Sequence, residues 1–169
     1  EKAWRRIYDQ THGQLYNFLC YQTGDRDAAR DLVQDTYVVA LRRLDTYRGR
    51  GTLLSWLRTV GMRKCLDWRR RISLNVRKLA AFARENTSLA ATGAEETFPG
   101  LGDGFQAALD RLSSRQRAAL LLRELEDLPF ADIALTLKIS EPNARVHASQ
   151  GLKRLRVLLE DLRPREGGS

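Results

Sequence analysis

The sequence predicts an all-α protein of two small helical domains joined by a flexible linker. Three observations carry this reading. No useful stretch alternates apolar and polar residues with the period of a strand, while apolar residues recur at helical spacing. Proline is absent up to Ala83 and occurs only four times in 169 residues, so long helices run uninterrupted early in the chain. The stretch "ENTSLAATGAEETFPGLGDG", residues 85–104, is rich in Gly, Ser, Thr and Ala and has no sustained period, as linkers do. The expected domains are 1–84 and 105–163, with a linker at 85–104 and a tail at 164–169.

The N-terminal unit divides into three helices. The first runs roughly from Lys2 to Thr23, with Trp4, Ile7, Tyr8, Leu15, Phe18 and Leu19 as core positions and Gly24 to end it. The second runs roughly from Arg26 to Asp45, with Leu32, Val33, Val39, Ala40 and Leu44 facing the core. The loop "TYRGRGT" follows, and Thr52 is a good N-cap for a third helix to about Arg71. That helix carries Leu53, Trp56, Leu57 and Val60, and Trp56 and Trp68 read as core. In the C-terminal unit, Ser113 with Gln116 three residues on is a capping-box signature. Pro129 marks the start of a short helix, "IS" is a turn, and Ser140 caps the last helix with Pro142 in its first turn.

Lys and Arg number 29 against 21 Asp and Glu, a formal charge of +8, which favours a polyanionic partner and nucleic acid first. Cys20 and Cys65 form no metal-type spacing and read as buried apolar thiols. No apolar run approaches the ~20 residues that span a bilayer. The first residues are charged and aromatic, unlike a signal peptide, so no membrane insertion and a cytoplasmic location are expected. Only two histidines occur, His12 and His147, and no cluster of nucleophile, base or metal ligands stands out. The chain therefore reads as a non-enzyme with no cofactor and no metal site.

Three constellations remain. Asp27, Asp31 and Asp35 stand four apart on one helix face, with Gln34 beside them. The macrodipole explains Asp27 at a helix start but not Asp35, so the row suits a basic partner. From Arg48 to Lys78 there are ten Lys or Arg and one acid, Asp67, a net of 10 − 1 = +9. Tyr47, Trp56 and Trp68 interleave with this run, a combination that tracks phosphates and can stack on unpaired bases. Finally, "ISEPNARVHASQGLKRLR" follows a short helix held by Ile133, Ala134, Leu137 and Ile139, which is helix-turn-helix logic. Asn143, Arg145, His147 and Gln150 are the side chains placed to read bases, with Lys153 and Arg154 set for phosphate. Gly151 inside that helix costs up to ~1 kcal/mol relative to Ala and points to close packing or close backbone approach. A stand-alone helix-turn-helix regulator fits this last feature but leaves the acidic row unexplained.

The stretch "DAARDLVQDTYVVALRRLDTYRGRGTLLSWLRTVGMRKCLDWRRR" resembles region 2 of bacterial sigma-70 family factors of the extracytoplasmic-function (ECF) group. "ALDRLSSRQRAALLLRELEDLPFADIALTLKISEPNARVHASQGLKRLRVLL" resembles region 4 of the same group. The resemblance implies a promoter-specificity factor that binds core RNA polymerase and helps melt DNA. It assigns Asp31, Gln34 and Asp35 to the clamp helices of the largest polymerase subunit. It assigns Tyr47, Arg48, Gly49, Arg50 and Thr52 to a pocket for a flipped base of the −10 element. Arg58, Arg63 and Lys64 would face the melted strand and adjacent duplex. The helix-turn-helix would read the −35 element beside the flap of the second-largest subunit, and an anti-sigma factor is an implied partner. Ser149, Gln150, Gly151 and Leu152 depart from the family's denser basic pattern, and Arg63 stands where many relatives have Asn.

Overall fold

A computed structural model describes residues 2–49, 51–83 and 103–162. Among them the architecture is helical throughout. The order is α1 (Lys2–Thr23), α2 (Arg26–Arg42), a 3-10 turn (Leu44–Thr46), α3 (Leu53–Ala83), α4 (Asp103–Asp110), α5 (Ser114–Glu124), α6 (Phe130–Leu137) and α7 (Glu141–Leu162). Residues 85–102 and the tail 164–169 lie outside the described residues, so the linker reading falls there. Asp103 and Gly104, read as linker, open α4.

Helices α1 to α3 form the first bundle. Its core is Leu15, Phe18, Leu19, Ala29, Leu32, Val33, Ala40, Leu57 and Met62. Gly24 has φ 71°, the left-handed turn that stops α1. Asp25 then caps α2 by accepting from the Ala28 N–H at 2.9 Å. Thr11 and Tyr37 share a hydroxyl hydrogen bond of 2.6 Å between α1 and α2, and burial raises the Tyr37 phenol pKa. Gly61 lets α3 approach closely, because a Cβ there would meet Thr36 Oγ1 at 3.2 Å and Leu19 Cδ2 at 3.3 Å.

Some expectations are corrected. Tyr8 and Leu44 are exposed rather than core. Tyr8 instead lies against the Tyr37 ring on the bundle surface, and Leu44 falls in the 3-10 turn after α2 has ended at Arg42. Trp56 and Trp68 are only half-buried at the core's edge. The third helix does not stop near Arg71 but runs to Ala83, since residues 72–83 hold no Gly or Pro and many good helix formers. Every residue from Arg70 to Arg77 is exposed, so this part of α3 overhangs the bundle.

Helices α4 to α7 form the second unit around Ala108, Leu109, Leu122, Ile133, Ala144 and Leu155. The capping box is made as expected, with Ser113 Oγ accepting from the Gln116 N–H and Gln116 Oε1 from the Ser113 N–H. Lys138 closes α6 in the left-handed conformation at φ 54°, which turns the chain into α7. Cys20 and Cys65 are free and buried. Burial raises both thiol pKa values, Cys65 to about 11. The two units pack on each other, with α4 and α5 against α1 and α5 and α6 against α3.

Candidate nucleic-acid interface

Four surfaces carry the residues singled out from the sequence. On α2, Asp31, Gln34 and Asp35 are all exposed. At 100° per residue they share a stripe with Val38 and Leu41, which expose about half their area at 47% and 51%. Asp27, at the start of the helix, is spent on Arg30 at 2.8 Å. Asp31 and Asp35, further along and beside an apolar strip, have no ion-pair partner among the described residues.

The loop 47–52 is built on two left-handed glycines, Gly49 at φ 68° and Gly51 at φ 74°. Among the described residues nothing lies within 4 Å of where a Cβ would stand at either, so the backbone turn itself is what demands glycine. The Tyr47 hydroxyl donates to the Gly51 carbonyl at 3.1 Å, and its ring tilts against Trp56 with centroids 5.6 Å apart. Tyr47 is therefore held half-buried rather than free. Thr52 Oγ1 caps α3 by accepting from the Ser55 N–H at 3.1 Å. Arg48, Gly49 and Thr52 are exposed, and Arg50 lies outside the described residues.

Along α3, the three basic residues part company. Arg63 is exposed and Lys64 half-buried. Arg58 instead crosses to the second unit, where it pairs with Glu126, and its guanidinium lies 5.4 Å from the Phe18 ring. Between α3 and the α5–α6 corner runs a cleft of about 730 Å³. Among the described residues, seven Lys or Arg line it, including Arg63, Lys64, Arg70, Arg115 and Lys138, against one acid, Asp67.

On α7, Asn143, His147, Gln150 and Arg154 fall on one stripe at the helical period, with exposed Lys153 adjoining. Arg145 does not join them. It lies on the opposite flank, donates to Glu141 Oε1 at 3.0 Å and stacks over Phe130 at 4.5 Å. Gln150 is tied to α5 by accepting from Gln116 Nε2 at 3.3 Å. His147 is half-buried, and its Nδ1 has no hydrogen-bond partner among the described residues.

Sequence reasoning missed the residues at the seam between the units. Arg117 is 1% exposed and donates to the Gln22 carbonyl at 3.0 Å and to Asp110 Oδ1 at 2.9 Å. Burial, reinforced by the neighbouring Arg69 charge and opposed by Asp110, lowers its pKa to about 10. Arg69 donates to the Gln22 and Thr23 carbonyls and to Ser114 Oγ. No periodicity marks such residues as interface; an arginine in the middle of α5 reads as surface until its partner is seen.

Two helical units, one with a basic loop and helix and one with a helix-turn-helix, define a nucleic-acid-binding protein with a separate exposed acidic row on α2. Family models narrow this class. The model described as Sigma-70 region 2 matches residues 7–74, and that described as Sigma-70, region 4 matches residues 103–155. The chain is 29% identical to the ECF RNA polymerase sigma factor SigX of Bacillus subtilis, over 96% of this chain and 87% of that protein. It is 27% identical to the RNA polymerase sigma factor CarQ of Myxococcus xanthus, over 96% and 92%. Among solved structures, the sigma factor RpoE of Bartonella quintana, in complex with the anti-sigma factor NepR, superposes with a TM-score of 0.66. That match is at 23% identity and covers 96% of this chain and 100% of that one. CnrH, in complex with the cytosolic domain of CnrY, superposes at 0.58 with 19% identity, covering 95% and 90%. The chain belongs to the sigma-70 family, in its ECF group, and it is a promoter-recognition factor for transcription initiation. Among the described residues no helix is long and apolar enough to cross a membrane.

Proposed function

We propose that the first unit, 1–84, docks on core RNA polymerase and captures the −10 element, while the second, 105–163, reads the −35 element. Asp31, Gln34 and Asp35 would meet the clamp helices of the largest subunit, with Val38 and Leu41 adding apolar contact. Tyr47, Arg48, Gly49, Arg50 and Thr52 would take a base extruded from the −10 element. Extrusion costs a few kcal/mol, which a snug loop and phosphate contacts must offset. Arg58, Arg63 and Lys64 would follow the melted strand. Asn143, His147 and Gln150 would reach base edges of the −35 element, with Lys153 and Arg154 on phosphate and Arg145 at the flank. The flap of the second-largest subunit would receive the second unit, and an anti-sigma protein would hold the factor inactive. In this reading the chain makes and breaks no bonds itself, because recognition and strand opening need binding energy alone, and it works in the cytoplasm beside the polymerase.

The observation that carries the docking role is the pair Asp31 and Asp35, exposed and without a salt bridge among the described residues, next to exposed Val38 and Leu41. Unpaired carboxylates beside an apolar strip are the makings of an interface with a basic partner. The double variant Asp31→Arg, Asp35→Arg should keep its helical spectrum and urea midpoint yet lose at least tenfold in affinity for purified core enzyme. Unchanged affinity removes α2 from the docking site. Sequence-specific promoter binding by the chain alone, with no association with core enzyme, would instead identify a stand-alone regulator.

A further inference from the structure

We propose that the cleft between α3 and the α5–α6 corner is a binding site for a small polyphosphorylated ligand of the nucleoside triphosphate class. This site goes beyond the promoter reading, which is decided by binding to core enzyme and promoter alone.

Unspent charge points to an anion. Six of the seven cations that line the cleft are Arg43, Arg63, Lys64, Arg70, Arg115 and Lys138. Their side chains have no ion-pair or hydrogen-bond partner among the described residues. The seventh, Arg69, is already spent on Gln22, Thr23 and Ser114. The six come from several sides: the residue that ends α2, the length of α3, the start of α5 and the residue that ends α6. Like charges gathered in one concavity repel, and protein walls sharpen their field. Asp67, the one acid among the lining residues, is exposed and offsets little of it. A multiply charged anion turns that repulsion into binding energy.

Shape and lining narrow the class. The cleft's volume of about 730 Å³ suits a small organic molecule, whose sites run from about 300 to 1,000 Å³. Val39, Val60, Leu66 and Leu137 line it together with the cations. These apolar side chains offer a surface to a base and sugar, which inorganic phosphate would leave unused. The 11-residue helix α5 begins at the cleft with Ser114 and Arg115, so the partial positive charge of its N-terminus adds to theirs. Lys138 stands at the carbonyl end of α6 and offsets the partial negative charge there. Cations converging from several sides suit a compact polyanion, whereas an extended strand is tracked by a charged groove along its backbone.

Isothermal titration calorimetry of the full chain with adenosine triphosphate, in magnesium-free buffer at fixed ionic strength, tests the site. Binding should show one site per chain and be ~tenfold or more tighter than for adenosine monophosphate, which brings fewer charge-assisted hydrogen bonds. Inorganic tripolyphosphate should bind more weakly than the nucleotide, because it leaves the apolar lining unused. Arg115→Gln with Lys138→Gln should weaken adenosine triphosphate binding ~tenfold or more. Asp67→Asn should strengthen it. Arg5→Gln with Arg6→Gln removes the same charge from α1, away from the cleft lining, and should leave the affinity nearly unchanged. All four substituted cations are exposed, so both double variants should keep the wild-type helical spectrum. Equal losses in the two double variants would mean a diffuse field and overturn the site, as would the absence of one-to-one binding. Tripolyphosphate binding as tightly as the nucleotide would overturn the nucleoside assignment. If a randomised single-stranded oligonucleotide bound through Arg115 and Lys138 and adenosine triphosphate did not bind, the cleft would be a strand groove and the proposal would fall.

Discussion

Gly151 shows how much a single missing methyl group can carry. It sits inside α7, where glycine weakens a helix, and no cap or kink accounts for it. In the fold it faces α5, and a Cβ there would lie 2.9 Å from the Gln116 main-chain oxygen. That atom belongs to a backbone, so the helices themselves would have to move apart. Gln116 is also the partner of both Ser113 and Gln150, so a shift would disturb the cap of α5 and the α5–α7 tie together. Ala would gain up to ~1 kcal/mol in helix propensity. Overpacking costs ~1–3 kcal/mol, and the larger effect wins. Gly151→Ala should therefore lower the urea midpoint despite its better propensity. A raised midpoint would mean that α5 and α7 yield freely at this contact.

At the scale of the element, the recognition helix separates its candidate readers. Asn143, His147, Gln150 and Arg154 line one stripe of α7, while Arg145 lies across the helix on Phe130 and Glu141. The Arg145–Glu141 pair is exposed, with side chains 62% and 49% accessible, and such pairs contribute only about 0–1 kcal/mol. Losing it therefore costs the fold little. The stripe, not the flank, is placed for the groove, so Asn143→Ala should cost ~1–3 kcal/mol of discrimination at one base pair of the −35 element, measured by binding to a set of singly substituted promoters, while Arg145→Ala should leave the base preference unchanged. An equal loss on every sequence would make Asn143 a phosphate contact. Most elements were legible beforehand because their signals are local: Gly24 as a stop, Ser113 with Gln116 as a box, Thr52 as a cap, Pro129 at a start. The end of α3 was not, since a continued run of good helix formers has no stop signal and its overhang buries nothing. The flank taken by Arg145 was also hidden, because residue type alone suggested a base reader and its tether to Phe130 is tertiary.

At the scale of the whole molecule, charge and connectivity make different demands. The pairs that hold the two units together, Arg58 with Glu126 and Arg117 with Gln22, join residues 68 and 95 apart. Contacts of that span leave no period in a sequence, so the two units were legible but their seam was not. The basic excess was legible, and its consequence is measurable. Each phosphate contact on a single strand releases counterions and contributes about 0.7 to the slope of log affinity against log salt. Arg63 and Lys64 line the cleft on α3, and neither has a salt bridge among the described residues. Both cations are therefore available to phosphate. Replacing both with Ala should reduce the slope for a single-stranded oligonucleotide by about 1.4, measured between about 50 and 200 mM salt. Neutralising Arg42, on the last turn of α2 and outside the cleft lining, serves as the control and should leave the slope nearly unchanged. If all three substitutions lowered the slope alike, DNA would be responding to the net charge of +8 as a diffuse field. A loss confined to Arg63 and Lys64 would instead trace the strand's path along α3.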